Sequence, residues 1–199
     1  EGNRILNEYN EDLDNWNSKW DKIQWESGSA YVQENNLKVL KQYDNAIDNL
    51  NPLLVEIGRH YGNAEIYYTE IKGLNLPDWT YDYIDLRIQS VQKRQQALSK
   101  ETELDGKRKI GREFIIAYVD GQVDGIKCLE EINKGTINMN LYAFDSAETN
   151  LKNAQRYLRS WISDWNYAEK KIPTNSLRSN ITGLECLDSS MGDILKGFS

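Results

Sequence analysis

The stretch 40-LKQYDNAIDNLNPLLVEIGRHYGNAEIYYTEI-71 decides the fold. It places Leu40, Tyr43, Ile47, Leu50, Leu54, Ile57, Tyr61, Ala64, Tyr68 and Ile71 at alternating steps of three and four. A helix turns once per 3.6 residues, so this alternation keeps one apolar stripe facing a neighbouring helix. The same rhythm recurs at Leu6, Tyr9, Leu13, Trp16, Trp20 and Ile23. It appears again from Phe144 through Leu151, Leu158 and Trp165 to Ile172, and from Leu177 through Ile181 to Leu195. The fold class that follows is all-α: an elongated up-down bundle of five to six helices.

Punctuation residues set the expected boundaries. Helix 1 covers about 3–25 and breaks at Ser27-Gly28-Ser29. Helix 2 covers about 31–72, with Pro52 inside it. Asn51 could cap a new helix there, but the apolar phase passes through the proline unshifted, which predicts one kinked helix. Asp78 caps the third helix. The polar stretch 99–109 holds Asp105-Gly106, read either as a turn or as the solvated middle of a continuing helix. Gly135 is expected to close the fourth helix, the fifth spans about 137–171, and Thr174 or Asn175 starts the sixth. Phe114 to Val119 followed by Asp120-Gly121 also has the form of a β-hairpin. An isolated hairpin is barely stable and no other strand is on offer, so a nearly all-apolar central helix is the better reading.

Helix lengths then suggest a four-helix cross-section in which the short first and last helices share one column. On this reading residues 1–199 form a single elongated domain. Two small stacked bundles divided near 105–106 are the alternative.

One face of the fourth helix is unusual. Ala117, Gly121, Gly125 and Cys128 follow at steps of four, four and three. Glycine inside a helix costs up to about 1 kcal/mol relative to alanine, so a close approach must compensate. The split-column arrangement puts Trp16 and Trp20 at that height. Large-against-small packing is the expected result, and a ligand pocket walled by tryptophan is the alternative. Trp25 and Trp79, near helix ends, are the candidates for an exposed binding surface.

The sequence argues against an enzyme. The single histidine, His60, has no Ser or Cys nucleophile signature beside it, and one histidine cannot supply the paired Glu-x-x-His motifs of a dimetal bundle. No EF-hand or phosphate-binding loop is present, so neither metal nor cofactor is expected. A net charge of −7 disfavours nucleic acid. The short basic run Lys107, Arg108, Lys109, Arg112 reads as a solvated helix start or turn. No apolar stretch reaches the roughly 18 residues of a membrane helix. Cys128 and Cys186 fall at different heights and read as two separate, mostly buried thiols.

The function that remains is a helical interaction or scaffold module that binds another protein. Its expected place is extracytoplasmic or at the cell surface, with a cytoplasmic one as the alternative. A ligand-sensing extracytoplasmic domain of a membrane receptor is the second reading, with a small molecule at the glycine-lined face.

Overall fold

The computed structural model describes residues 2–21 and 29–198, and all of its regular structure is helical. Five helices follow in order: α1 (Gly2–Asp21), α2 (Ala30–Lys72), α3 (Asp78–Asn140), α4 (Phe144–Lys171) and α5 (Asn175–Lys196). The all-α reading therefore holds. Trp25 and the Ser27-Gly28 break lie outside the described residues.

The two longest helices show where local rules yield to packing. α2 is continuous with Pro52 inside it, as the unshifted stripe requires. Leu40, Ile47 and Leu54, which straddle the proline, are each fully buried. Asn51 does not cap a helix; its side-chain amide donates to Asp105.

α3 runs without interruption through Asp105-Gly106 and through the segment that resembled a hairpin. The middle of α3 is not solvated at Asp105, which is only 2% exposed and accepts hydrogen bonds from the Tyr9 hydroxyl and from Asn51. Nor is the basic run a helix start. Lys107 pairs with Glu103, Arg108 with Glu101 and Lys109 with Asp48, while Arg112 is buried.

Gly135 does not end α3, which continues to Asn140. A Cβ at Gly135 would lie 3.2 Å from Cγ of Leu151, so the glycine admits α4 at close range. The break comes at Leu141–Ala143 instead. There the Ala143 N–H reaches back to the Asn138 carbonyl at 2.8 Å and Tyr142 adopts φ 58°. This is a Schellman-type closure with tyrosine at the position that usually takes glycine. α4 stops before Pro173. α5 begins at the expected cap, where Thr174 Oγ1 accepts the Leu177 N–H at 3.2 Å.

The chain packs as two compact units. Unit 1 comprises Glu1–Ser18 and Gln42–Lys109, and unit 2 comprises Lys19–Lys41 and Ile110–Ser199. Unit 2 is built on α4 and α5 against the second half of α3. One cluster holds Ala117, Trp165, Ala168, Leu177 and Ile181, and the next holds Cys128, Ala154, Leu158 and Met191. Unit 1 packs α1 against α2 and the first half of α3, with Ile5, Tyr9 and Trp16 buried on α1.

Candidate functional site

In unit 2 the small-residue face of α3 is buried, as its spacing implies, with Ala117, Gly121, Gly125 and Cys128 all inside. The tryptophans that fill it are Trp161 and Trp165 of α4. A Cβ on Gly121 would fall 2.7 Å from Trp165 Nε1, and one on Gly125 would fall 2.9 Å from the Trp161 ring. The assignment of that role to Trp16 and Trp20 is therefore corrected. Both pairs have i, i+4 spacing on an apolar stripe, and spacing alone does not say which stripe meets the glycines.

The two indoles are held differently. Trp165 stacks on Tyr118 at 5.2 Å between centroids with planes 4° apart, and its ring N–H donates to the Tyr118 carbonyl at 3.1 Å. Trp161 meets Trp165 edge-on at 5.1 Å, and its own buried N–H has no hydrogen-bond partner. The space between α3 and α4 at the glycines is thus occupied by indole.

Beside this core lies a group of carboxylates. Lys41 pairs with Asp120 at 2.6 Å. Burial, together with repulsion from Asp120 and Asp124, pushes the Asp164 carboxyl up to about 6, against some attraction from Lys41. The two cysteines are unpaired. Cys128 is buried, and that burial raises its thiol to about 11, whereas Cys186 is exposed rather than buried. Among the described residues no group of three His, Cys, Asp or Glu side chains converges as metal ligands. His60 sits on an exposed stretch of α2 with Nε2 3.7 Å from Glu56.

Unit 1 supplies the surfaces that sequence spacing did not single out. A cavity of about 400 Å³ opens where α1, α2 and α3 meet. Its walls are mainly Leu6, Leu54, Ile57, Tyr61, Ala97 and Leu98, with Asn10, Arg94 and Glu101 as the polar members. Beyond it, α2 and α3 continue as an antiparallel pair. Gln92 donates to Glu65 at 2.6 Å, Lys72 pairs with Asp85 at 2.5 Å, and the Tyr81 hydroxyl closes the link by donating to the Leu74 carbonyl at 2.9 Å.

Between Tyr61 and Arg94 just one described residue, Ile84, is buried. Large side chains there lie open to solvent, including Ile71 (42% exposed), Tyr83 (54%) and Trp79 (76%). Trp79 is thus exposed, as expected of a helix-end tryptophan. The clue in the sequence was the stripe itself. It runs on through Ala64, Tyr68 and Ile71, beyond the level at which Leu6 of α1 shares a cavity wall with Ile57 and Tyr61.

No family model matches the chain, and no curated protein or solved structure matches it. No helix among the described residues is long and apolar enough to cross a membrane.

Proposed function

We propose that this chain is a non-enzymatic helical interaction module that binds an amphipathic helix of another protein in the α2–α3 groove of unit 1. The observation that carries the reading is the single buried residue in the whole hairpin between Tyr61 and Arg94. Two helices with an apolar seam so little buried among the described residues bury too little to account for that seam by their own stability.

The groove already accepts a helix one level away. α1 lies along the stripe where Leu6 shares a cavity wall with Ile57 and Tyr61, and where Tyr9 reaches Asp105. From Tyr61 to Lys72 the hairpin extends about 16 Å at helical rise. Tyr68 and Ile71 on α2 and Tyr83, Arg87 and Val91 on α3 continue the two lines of residues that meet α1. Arg87 holds the Tyr83 ring in place, with Nε donating to the hydroxyl at 2.8 Å and the guanidinium 4.9 Å from the ring centroid. Such aromatic anchors dominate helix-in-groove recognition.

The test is an affinity purification from native lysate with wild-type protein and with the double variant Ile71→Ala, Tyr83→Ala. It is followed by titration of each candidate against both proteins in purified form. Both positions are exposed, so the variant should unfold at the wild-type temperature. Two anchors of roughly 2 kcal/mol each imply a loss of affinity on the order of several hundred-fold. A partner that binds both proteins equally would refute this use of the groove. Concentration-dependent dimerisation lost in the variant would identify a second copy as the occupant instead.

A further inference from the structure

We infer that the unit 1 cavity is a binding site for a small amphipathic monocarboxylate, with its hydrocarbon part among Leu6, Ile57, Tyr61 and Leu98 and its carboxylate on Arg94. This inference is independent of the docking groove and stands or falls without it.

Size is the first argument. About 400 Å³ falls within the range of small-molecule pockets and suits a ligand on the order of ten non-hydrogen atoms. Most of the wall is aliphatic, and a single aromatic ring, Tyr61, forms one side. An apolar hollow of this size open to water is costly unless something fills it.

Charge is the second. Two ionised groups stand on the wall, and they are not in the same state. Glu101 is already compensated, because Arg108 donates to it. That pairing raises the Arg108 guanidinium against the opposing effect of burial. Arg94 has no carboxylate or hydrogen-bond partner among the described residues, although other arginines of unit 1 such as Arg59, Arg87 and Arg108 each hold one. An uncompensated guanidinium at the rim of an apolar hollow is complementary to a planar monoanion, which it can grip with two parallel N–H bonds. Asn10 adds an amide on the same wall. One cation suits a single negative charge. A phosphate monoester, with close to two charges, would call for a second base that this wall lacks.

Sodium octanoate is the probe, with 1-octanol and octyl phosphate as controls, followed by isothermal titration calorimetry of the full chain. Octanoate should bind with a stoichiometry of one, and 1-octanol at least tenfold more weakly. Arg94→Gln should lose tenfold or more for octanoate and leave 1-octanol unchanged, while Arg94→Lys should keep part of the affinity. Ala97→Trp, which puts an indole into the cavity, should abolish binding of both. If that variant fails to fold by circular dichroism, the Arg94 pair decides alone, since Arg94 is exposed and its substitution removes no core contact. Failure of octanoate to bind, equal binding of octanoate and 1-octanol, or undiminished affinity in Arg94→Gln would each overturn the site. Tighter binding of octyl phosphate would overturn the assignment to a monocarboxylate.

Discussion

Replacing Gly121 or Gly125 by alanine sets two opposed effects against each other, and the structure says which prevails. Inside a helix the change should stabilise by up to about 1 kcal/mol through propensity. At Gly183 of α5 nothing lies within 4 Å of the new methyl, so Gly183→Ala should show that gain undiminished. At Gly121 the methyl would fall 2.7 Å from Trp165 Nε1, and at Gly125 2.9–3.0 Å from three atoms of the Trp161 ring. An indole held against neighbouring rings, as Trp165 is by Tyr118 and Trp161, cannot swing aside as a flexible chain end would. Overpacking of this kind costs about 1–3 kcal/mol. Displacing Trp165 also strains its hydrogen bond to the Tyr118 carbonyl, worth about 1 kcal/mol. The net expectation is a loss of about 1–3 kcal/mol for Gly121→Ala and about 0–2 kcal/mol for Gly125→Ala. Urea unfolding followed by circular dichroism and tryptophan fluorescence measures all three variants. Trp161→Phe removes the ring atoms nearest Gly125, so the pair Gly125→Ala and Trp161→Phe should show a favourable coupling in a double-mutant cycle. If Gly121→Ala and Gly125→Ala stabilise as much as Gly183→Ala, the indoles are not packed on those glycines and the account of the unit 2 core is wrong.

Tyr9→Phe should cost about 1–3 kcal/mol in chemical denaturation, because it takes a donor from a carboxylate that is 2% exposed. Burial and the nearby charges raise the folded pKa of Asp164 from 3.8 to about 6, so its contribution to stability is fully present below about pH 4 and is lost as pH rises through 6. Asp164→Asn should therefore raise the melting temperature at pH 7.5, with the advantage shrinking toward pH 4; an advantage constant across that range would contradict the carboxylate cluster. A disulfide-exchange reagent at pH 8 should titrate one thiol, Cys186, in the native protein and two after denaturation, since burial keeps Cys128 protonated. Tyr142→Gly should stabilise by up to about 1 kcal/mol by relieving a left-handed backbone, read as a higher urea midpoint.

Much of the helical layout was legible because it depends on short-range chemistry. The phase of the stripe across Pro52 and the Thr174 cap involve residues within a turn or two of each other, and both read correctly. Gly135 misled for the opposite reason, and at Asp105-Gly106 the continuing helix was one of the two expected outcomes but the burial of Asp105 was not. Each looks like a local breaker, but Gly135 admits Leu151 and Asp105 is bound by Tyr9, ninety-six residues earlier in the chain. Long-range partners are also why the glycine face was seen and its tryptophans were misassigned. The unit 1 cavity left no motif at all. Its walls come from three separated segments, and Arg94 is marked only by its place on the cavity wall without a hydrogen-bond or carboxylate partner among the described residues, which no spacing rule records.

The hairpin beyond Tyr61 has a kinetic consequence as well. Ile84 is its one buried side chain, so the free energy needed to open it locally comes from backbone hydrogen bonds and from surface pairs such as Lys72–Asp85, which salt weakens. Its amides should exchange with solvent far sooner than those flanking Leu40 and Ile47, and sooner still at high ionic strength. A helix laid into the groove would slow that exchange in proportion to its occupancy. The exchange rate of a few amides between 62 and 91 is thus a built-in gauge of binding, readable without a label and before the occupant has been identified.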